Sequence, residues 1–222
     1  MKKYPETYLQ LKELGSRIPE YRQTYIFEGD FIDDYHKYLN DCGYKGDLIQ
    51  LNNIEGWLRK EDALKLYELA YFCKRDILEL GTYHGLSTYI IAQAVKRSSN
   101  KNFIFSVDIS FDCQSKARQN LKGFDINFVC EDAMNAIKCM KRKFGFVFID
   151  HSHAYDPVCK ICGVIDELLL PGGFCLFHDW NDERNKTGDP DYGVYQAVED
   201  CLRKEFEFWG VFGCTALYRL IS

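Results

Sequence analysis

Three apolar runs in this chain each end in groups that can do chemistry. Asp76-Ile77-Leu78-Glu79-Leu80 leads into Gly81-Thr82-Tyr83-His84-Gly85 and then Leu86-Ser87-Thr88. A strand that turns through two glycines into a helix leaves backbone N–H groups free and lets a ligand come close. It also presents a positive helix end to an acidic group. Further on, Phe148-Ile149 ends in Asp150-His151-Ser152-His153, and Leu176-Phe177 ends in His178-Asp179. Strand ends of this kind converge at the carboxyl edge of a parallel sheet, where α/β folds bind small molecules.

The elements that must position these groups alternate along the chain. Strands are expected at 76–81, 102–108, 125–130, 144–150 and 173–179, with helices near 86–97, 112–121, 133–142 and 156–169. The strands are continuous apolar runs, as expected where both faces of a parallel sheet are covered. Pro171-Gly172-Gly173 reads as a sharp turn. A polar loop over 181–190, long enough for a lid, precedes a helix near 192–204. Strands at 205–210 and 214–220, joined by Val211-Phe212-Gly213, form an antiparallel hairpin. The fold class is therefore α/β, a Rossmann-like, doubly wound, mostly parallel sheet with that C-terminal hairpin.

Residues 1–75 differ in kind and are read as an N-terminal helical cap on the sheet domain of 76–222. Helical pieces are expected over 7–14 and 34–39, and a stronger helix over 60–73. Before the last, Trp57 sits in a turn with its indole at least partly exposed.

Composition narrows the function classes. The 222 residues carry a formal net charge of −5, which argues against nucleic acid as the main partner. The basic runs Lys96-Arg97 and Lys141-Arg142-Lys143 fall at helix ends, where cations complement the dipole. No apolar run approaches the ~18 residues that would span a bilayer. The N-terminal lysines have no apolar stretch behind them, so no membrane partner and a cytoplasmic location are expected. The 10 cysteines are scattered, and several in apolar elements (Cys73, Cys130 and Cys175) read as small buried hydrophobes, as does the mid-helix pair Cys159 and Cys162.

A strand–GxxxG–helix unit with acids at successive strand ends suits a nucleoside-containing cofactor. Asp108, after Phe103-Ile104-Phe105-Ser106-Val107, can accept ribose hydroxyl protons. The GxGxxG of pyrophosphate binders is absent, which disfavours a nicotinamide-dependent oxidoreductase. From Asn53 to the C-terminus the sequence resembles the class I S-adenosylmethionine-dependent methyltransferases. It is most similar to the macrocin and rhamnosyl O-methyltransferase group, and more distantly to catechol and caffeoyl-CoA O-methyltransferases. The stretch from Leu78 to Thr88 carries that resemblance.

The resemblance implies that Glu79 and Gly81 line the methionine part of S-adenosylmethionine, with Ser87 at its carboxylate, and that Tyr83 and Gly85 belong to the same cofactor site. It implies Asp108 at the ribose, and Asp132 and Ala133 by the adenine. Ser87 as a helix cap and Asp108 as a solvated strand end are the competing structural readings. His84 is read as shaping the turn.

The acceptor would be a small molecule with a hydroxyl group, plausibly a sugar or glycosylated metabolite. Deprotonating it needs a base, a metal, or both. His153, three residues after Asp150, is the expected general base. Asp150 and Asp179, with His178 or Asn181 completing the shell, are the expected ligands of Mg²⁺ or another divalent cation. The resemblance to the catechol and caffeoyl-CoA enzymes implies an Asn directly after the second aspartate, where this chain has Trp180. In the alternative, Asp150 orients His153 and Asp179 anchors the loop. Trp180 and Tyr155 are candidates for an aromatic wall, and His151 for a supporting role. A catalytically silent cofactor-binding module is the rival reading, and a homo-oligomer is left open.

Overall fold

The computed structural model describes residues 21–221. The helix expected over 7–14 lies outside them. The sheet is built from β3 (Ile77–Leu80), β4 (Ile104–Asp108), β5 (Asn127–Cys130), β6 (Phe144–Ile149), β7 (Leu169–Phe177), β8 (Phe206–Phe212) and β9 (Thr215–Leu220). Their order is β5-β4-β3-β6-β7-β9-β8. The first five run parallel, and β9 is antiparallel to both β7 and β8. This is a Rossmann-like, mostly parallel sheet closed by an antiparallel hairpin. The order reverses at β3, whose neighbours β4 and β6 are reached in opposite directions. A crevice opens at such a switch point beyond the strand ends.

Strand side chains alternate between two cores. Ile77, Phe146 and Phe148 join one cluster, and Leu78, Leu80, Val147 and Ile149 join the other. The first core lies under α1 (Asp34–Asp41), α2 (Lys60–Phe72) and α3 (Leu86–Arg97). The second lies under α5 (Ala133–Cys139), α6 (Tyr155–Cys162), α7 (Ile165–Leu168) and α8 (Val194–Cys201). The remaining helix, α4 (Phe111–Asn120), follows β4, and a small ribbon of β1 (Tyr44–Lys45) and β2 (Leu48–Ile49) precedes α2.

The described part of the N-terminal region packs on the sheet through α2, which lies against α3. Asp33 caps α1 by accepting from the Tyr35 and His36 amides, worth about 1 kcal/mol, and also accepts from the Tyr67 hydroxyl. The buried Lys65–Glu68 pair ties residues 22–25 to α2. Lys65 Nζ donates to the Arg22 carbonyl, and Glu68 accepts from the Thr24 and Tyr25 amides.

Several details depart from the sequence reading. The helix expected over 156–169 is broken at Gly163-Val164 into α6 and α7. Pro171-Gly172-Gly173 lies inside β7 as a bulge: pairing with β6 jumps from Leu169 to Phe174, and Gly172 takes φ +78°. β8 runs on through Phe212, so the hairpin turn falls at Gly213-Cys214. Cys159 and Cys201 form a disulfide between α6 and α8, which corrects the reading of Cys159 as a packing thiol; the other eight are free, and Cys130 is exposed rather than buried. Trp180 is 2% exposed, packed on Tyr195 and Phe208, and so walls no site. Among the described residues, no helix is long and apolar enough to cross a membrane.

Candidate active site

The ends of β3, β4, β6 and β7 surround one cavity of about 620 Å³. Gly81, Tyr83, Ser87 and Asp108 line it together with Asp150, His151, His153, His178 and Asp179. Both halves of the site expected from sequence thus face the same space.

The first half is held by two polar networks. Asp108 Oδ2 accepts from the backbone N–H of Thr82 (3.0 Å) and Tyr83 (2.7 Å), and Oδ1 accepts from Ser110 N–H at 2.8 Å. A carboxylate offers about four lone-pair sites. Asp108 therefore keeps room for one ribose hydroxyl rather than the pair expected. Its three internal bonds fix the turn, in which Tyr83 takes φ +45°.

Glu79 lies behind the cavity wall, fully buried, and does not line the space as expected. It accepts from the hydroxyls of Ser87, Thr88 and Ser106, and Thr82 Oγ1 lies 2.6 Å from Ser106 Oγ. Burial pushes its pKa up to about 7 against the pull of those hydroxyls. The Ser87 proton is thereby committed inward, and Ser87 is not the cap of its helix. That position belongs to Gly85, which offers no side chain, so the first turn of α3 keeps uncapped N–H groups beside the cavity. An uncapped helix start fits a carboxylate.

Asp132 and Ala133 do not line the cavity; Asp132 caps α5 by accepting from Asn135 N–H. Gly85 also stands back from it. A Cβ there would meet Leu121 Cδ1 at 2.6 Å, so this glycine serves the packing of α3 on α4.

The second half is a cluster of acids and imidazoles. His153 Nε2 lies 3.1 Å from Asp179 Oδ2 and 3.9 Å from Asp150 Oδ1. His178 Nδ1 lies 3.2 Å from Asp150 Oδ1 and 3.5 Å from Asp179 Oδ2. Tyr192, which carried no signal in the sequence, donates to Asp179 Oδ2 at 2.9 Å and stacks on the His153 ring. The hydrogen bond to Asp179 raises the His153 pKa above its usual value, against burial. Burial alone would lower His178, yet Asp150 and the other groups around it hold it well above the usual value. Burial alone would raise Asp179, but His178 and His153 outweigh it and hold the carboxyl far below its ordinary range.

One ligand atom from each of Asp150, His153 and Asp179 falls within a 4.8 Å group, so these three could hold a cation. Their mixed nitrogen and oxygen donors suit a first-row transition metal better than Mg²⁺. His153 Nε2 faces both carboxylates, so it could not ligate a metal and take a proton through that atom at once.

Trp57, 58% exposed, packs on Tyr83 at the cavity and supplies the aromatic surface expected of Trp180 and Tyr155. His84 stacks on Tyr83 at 3.9 Å and pairs with Glu55, outside the cavity lining. Arg59, just before α2, and Arg184, on the 181–190 loop, also reach the cavity, with neither foreseen.

Residues 78–180 match the model of a family described as a methyltransferase domain. Several solved structures share the fold. The O-methyltransferase TomG of Streptomyces achromogenes, involved in tomaymycin synthesis and solved with SAM, is 17% identical over 86% of this chain and 91% of that one, with a TM-score of 0.59. An O-methyltransferase from Bacillus cereus in complex with SAH is 17% identical over 77% and 85%, at 0.60. A Podospora anserina methyltransferase bound to SAH is 16% identical over 88% and 91%, at 0.59. No curated protein matches the chain by sequence. The matched segment runs from β3 to the end of β7, the part of the Rossmann-like sheet that bears the cavity. At these identities the structural likeness establishes the fold and leaves the acceptor open.

Proposed function

We propose that this chain is an S-adenosylmethionine-dependent O-methyltransferase acting on a hydroxyl of a small molecule, with a sugar or glycosylated metabolite as the expected acceptor class. One observation carries the reading: the Gly81–Tyr83 turn with Asp108, and the Asp150–His153–Asp179 cluster, line one cavity. The three neighbours named above include two O-methyltransferases, which supports oxygen as the acceptor atom.

S-adenosylmethionine, when bound, supplies an electrophilic methyl group on a sulfonium. The residues here do the rest. The uncapped start of α3 receives a carboxylate, and the free lone pair of Asp108 accepts one ribose hydroxyl. Gly81 and Tyr83 shape the floor between them. With Nε2 of His153 donating to Asp179, the other ring nitrogen takes the acceptor's hydroxyl proton, and Asp179 stabilises the imidazolium that results. Tyr192 keeps Asp179 and the His153 ring in place. Holding two reactants in line contributes roughly 7–11 kcal/mol where the fit is tight. Should a cation be bound, Asp150, Asp179 and His153 would hold it and it would lower the hydroxyl pKa.

The test is SAH formation by purified protein offered SAM and a panel of glycosylated, catecholic and simple hydroxylated acceptors. Acceptor-dependent turnover is expected. SAM binding without turnover on any member would favour a silent cofactor-binding module, and transfer only to amines would refute the oxygen assignment.

A further inference from the structure

Behind the acid–imidazole cluster lies a second convergence of donors. Asp62 comes from the first turn of α2, His178 from the end of β7 and Cys214 from the β8–β9 turn. They are 1%, 5% and 4% exposed. Cys214 Sγ lies 3.2 Å from His178 Nε2 and 3.4 Å from Asp62 Oδ2, and His178 Nε2 lies 3.9 Å from Asp62 Oδ2. We propose that Asp62, His178 and Cys214 form a three-ligand site for a divalent metal of the zinc type, separate from the Asp150–His153–Asp179 cluster.

The dimensions suit such an ion. Zinc bonds of about 2.0–2.3 Å arranged tetrahedrally place ligand atoms about 3.5 Å apart. The observed triangle brackets that separation. A thiolate with an imidazole selects zinc-like ions and discriminates against Mg²⁺, which prefers oxygen donors and waters. Charge also balances: one thiolate and one carboxylate neutralise a divalent ion, so the buried assembly carries no net charge.

The surroundings are those of a ligating set. A metal-bound histidine commonly directs its other ring nitrogen at a carboxylate, which fixes the ring. Here His178 turns Nε2 to the triangle and Nδ1 to Asp150 Oδ1. Asp62 is oriented by the Cys214 amide and the Thr215 hydroxyl on Oδ1 and by the Arg59 amide on Oδ2. The turn carrying Cys214 can descend on Asp62 only because residue 213 is glycine. A Cβ at Gly213 would come within 2.5 Å of Asp62 Oδ1. Both His178 and Cys214 line the cavity, whereas Asp62 does not. The fourth coordination position would thus open on the cavity and admit water, as in sites that keep an exchangeable ligand. The proposal rests on these donors alone and not on the methyl-transfer reading.

The test is metal analysis of the full chain, purified untagged without chelator and reconstituted with Zn²⁺ or Co²⁺. Stoichiometric zinc and a thiolate-to-cobalt charge-transfer absorption are expected. Cys214→Ser should abolish the absorption and Asp62→Asn should weaken zinc retention at least about tenfold, while His153→Ala keeps both. Cobalt bound without the charge-transfer absorption, or no metal bound at all, overturns the site using wild-type protein alone. So does an unchanged cobalt spectrum in Cys214→Ser. Failure of these measurements leaves SAH formation unaffected, so the two readings are judged separately.

Discussion

Gly81 passes so close to Asp150 that a Cβ on it would stand 2.1 Å from the Asp150 carbonyl oxygen. The glycine that opens the cofactor turn is therefore also what lets the end of β3 close on the end of β6. Gly81 takes φ +99°, so alanine there meets both a clash and a backbone conformation that costs of order 1–3 kcal/mol. Gly81→Ala should weaken SAH binding at least about tenfold by calorimetry. Gly188→Ala, at φ +71° but with nothing within 4 Å, should leave binding nearly unchanged. Equal effects at both positions would refute the contact with Asp150 as the cause.

Asp108 holds three backbone amides and has one lone pair left for a ligand. Asp108→Ala removes all four functions. Charge-assisted hydrogen bonds contribute about 1.5–3 kcal/mol each, so SAH affinity should fall by tenfold or more. Deoxygenated ribose analogues should bind the wild type more weakly but bind the variant no worse than SAH itself. Unchanged affinity in the variant removes the ribose assignment.

His153 acts as a base only when neutral, and its hydrogen bond to Asp179 favours the charged form. Turnover should therefore rise with pH through a midpoint above the ordinary 6.5. Asp179→Asn takes away the stabilising charge, so the midpoint should move down while the maximal rate also drops. A rate flat between about pH 5 and 8 would rule out the imidazole as the proton acceptor.

Glu79 carries a pKa of about 7 in place of 4.5. The folded chain keeps a proton there that the unfolded chain releases, so stability is fully present below about 4.5 and falls as pH rises toward 7. The loss is of order 3 kcal/mol. Urea unfolding across this range should show a downward slope in the wild type that is shallower by that amount in Glu79→Gln, since Gln does not titrate. Parallel curves would place the Glu79 titration elsewhere.

The sheet was legible because its strands are continuous apolar runs bounded by acids and glycines, and β3, β4 and β6 lie within a residue or two of their expected spans. The same local reading failed at Pro171-Gly172-Gly173, where turn-forming residues serve as a bulge inside β7. Asp150, His153, His178 and Asp179 could be singled out because each stands at the end of an apolar run. Asp62 and Cys214 could not. Their side chains meet across 152 residues of sequence, and nothing near either one marks it. Tyr192 was equally silent, as one aromatic at the start of the helix expected near 192–204. Glu79 was visible as a charge in an apolar strand, but its role depends on three hydroxyls that only the folded chain assembles.

The bond between Cys159 and Cys201 turns the backbone from α6 through β7 to α8 into a covalent ring. His178, Asp179 and Tyr192 all ride on that ring, whereas Asp108 and the Gly81 turn lie beyond it. Closing a loop with a sequence separation of 42 restricts the denatured ensemble by roughly 4 kcal/mol. Thiol reduction would accordingly release that restraint, and the segment it frees in the unfolded chain is the one that carries His178, Asp179 and Tyr192.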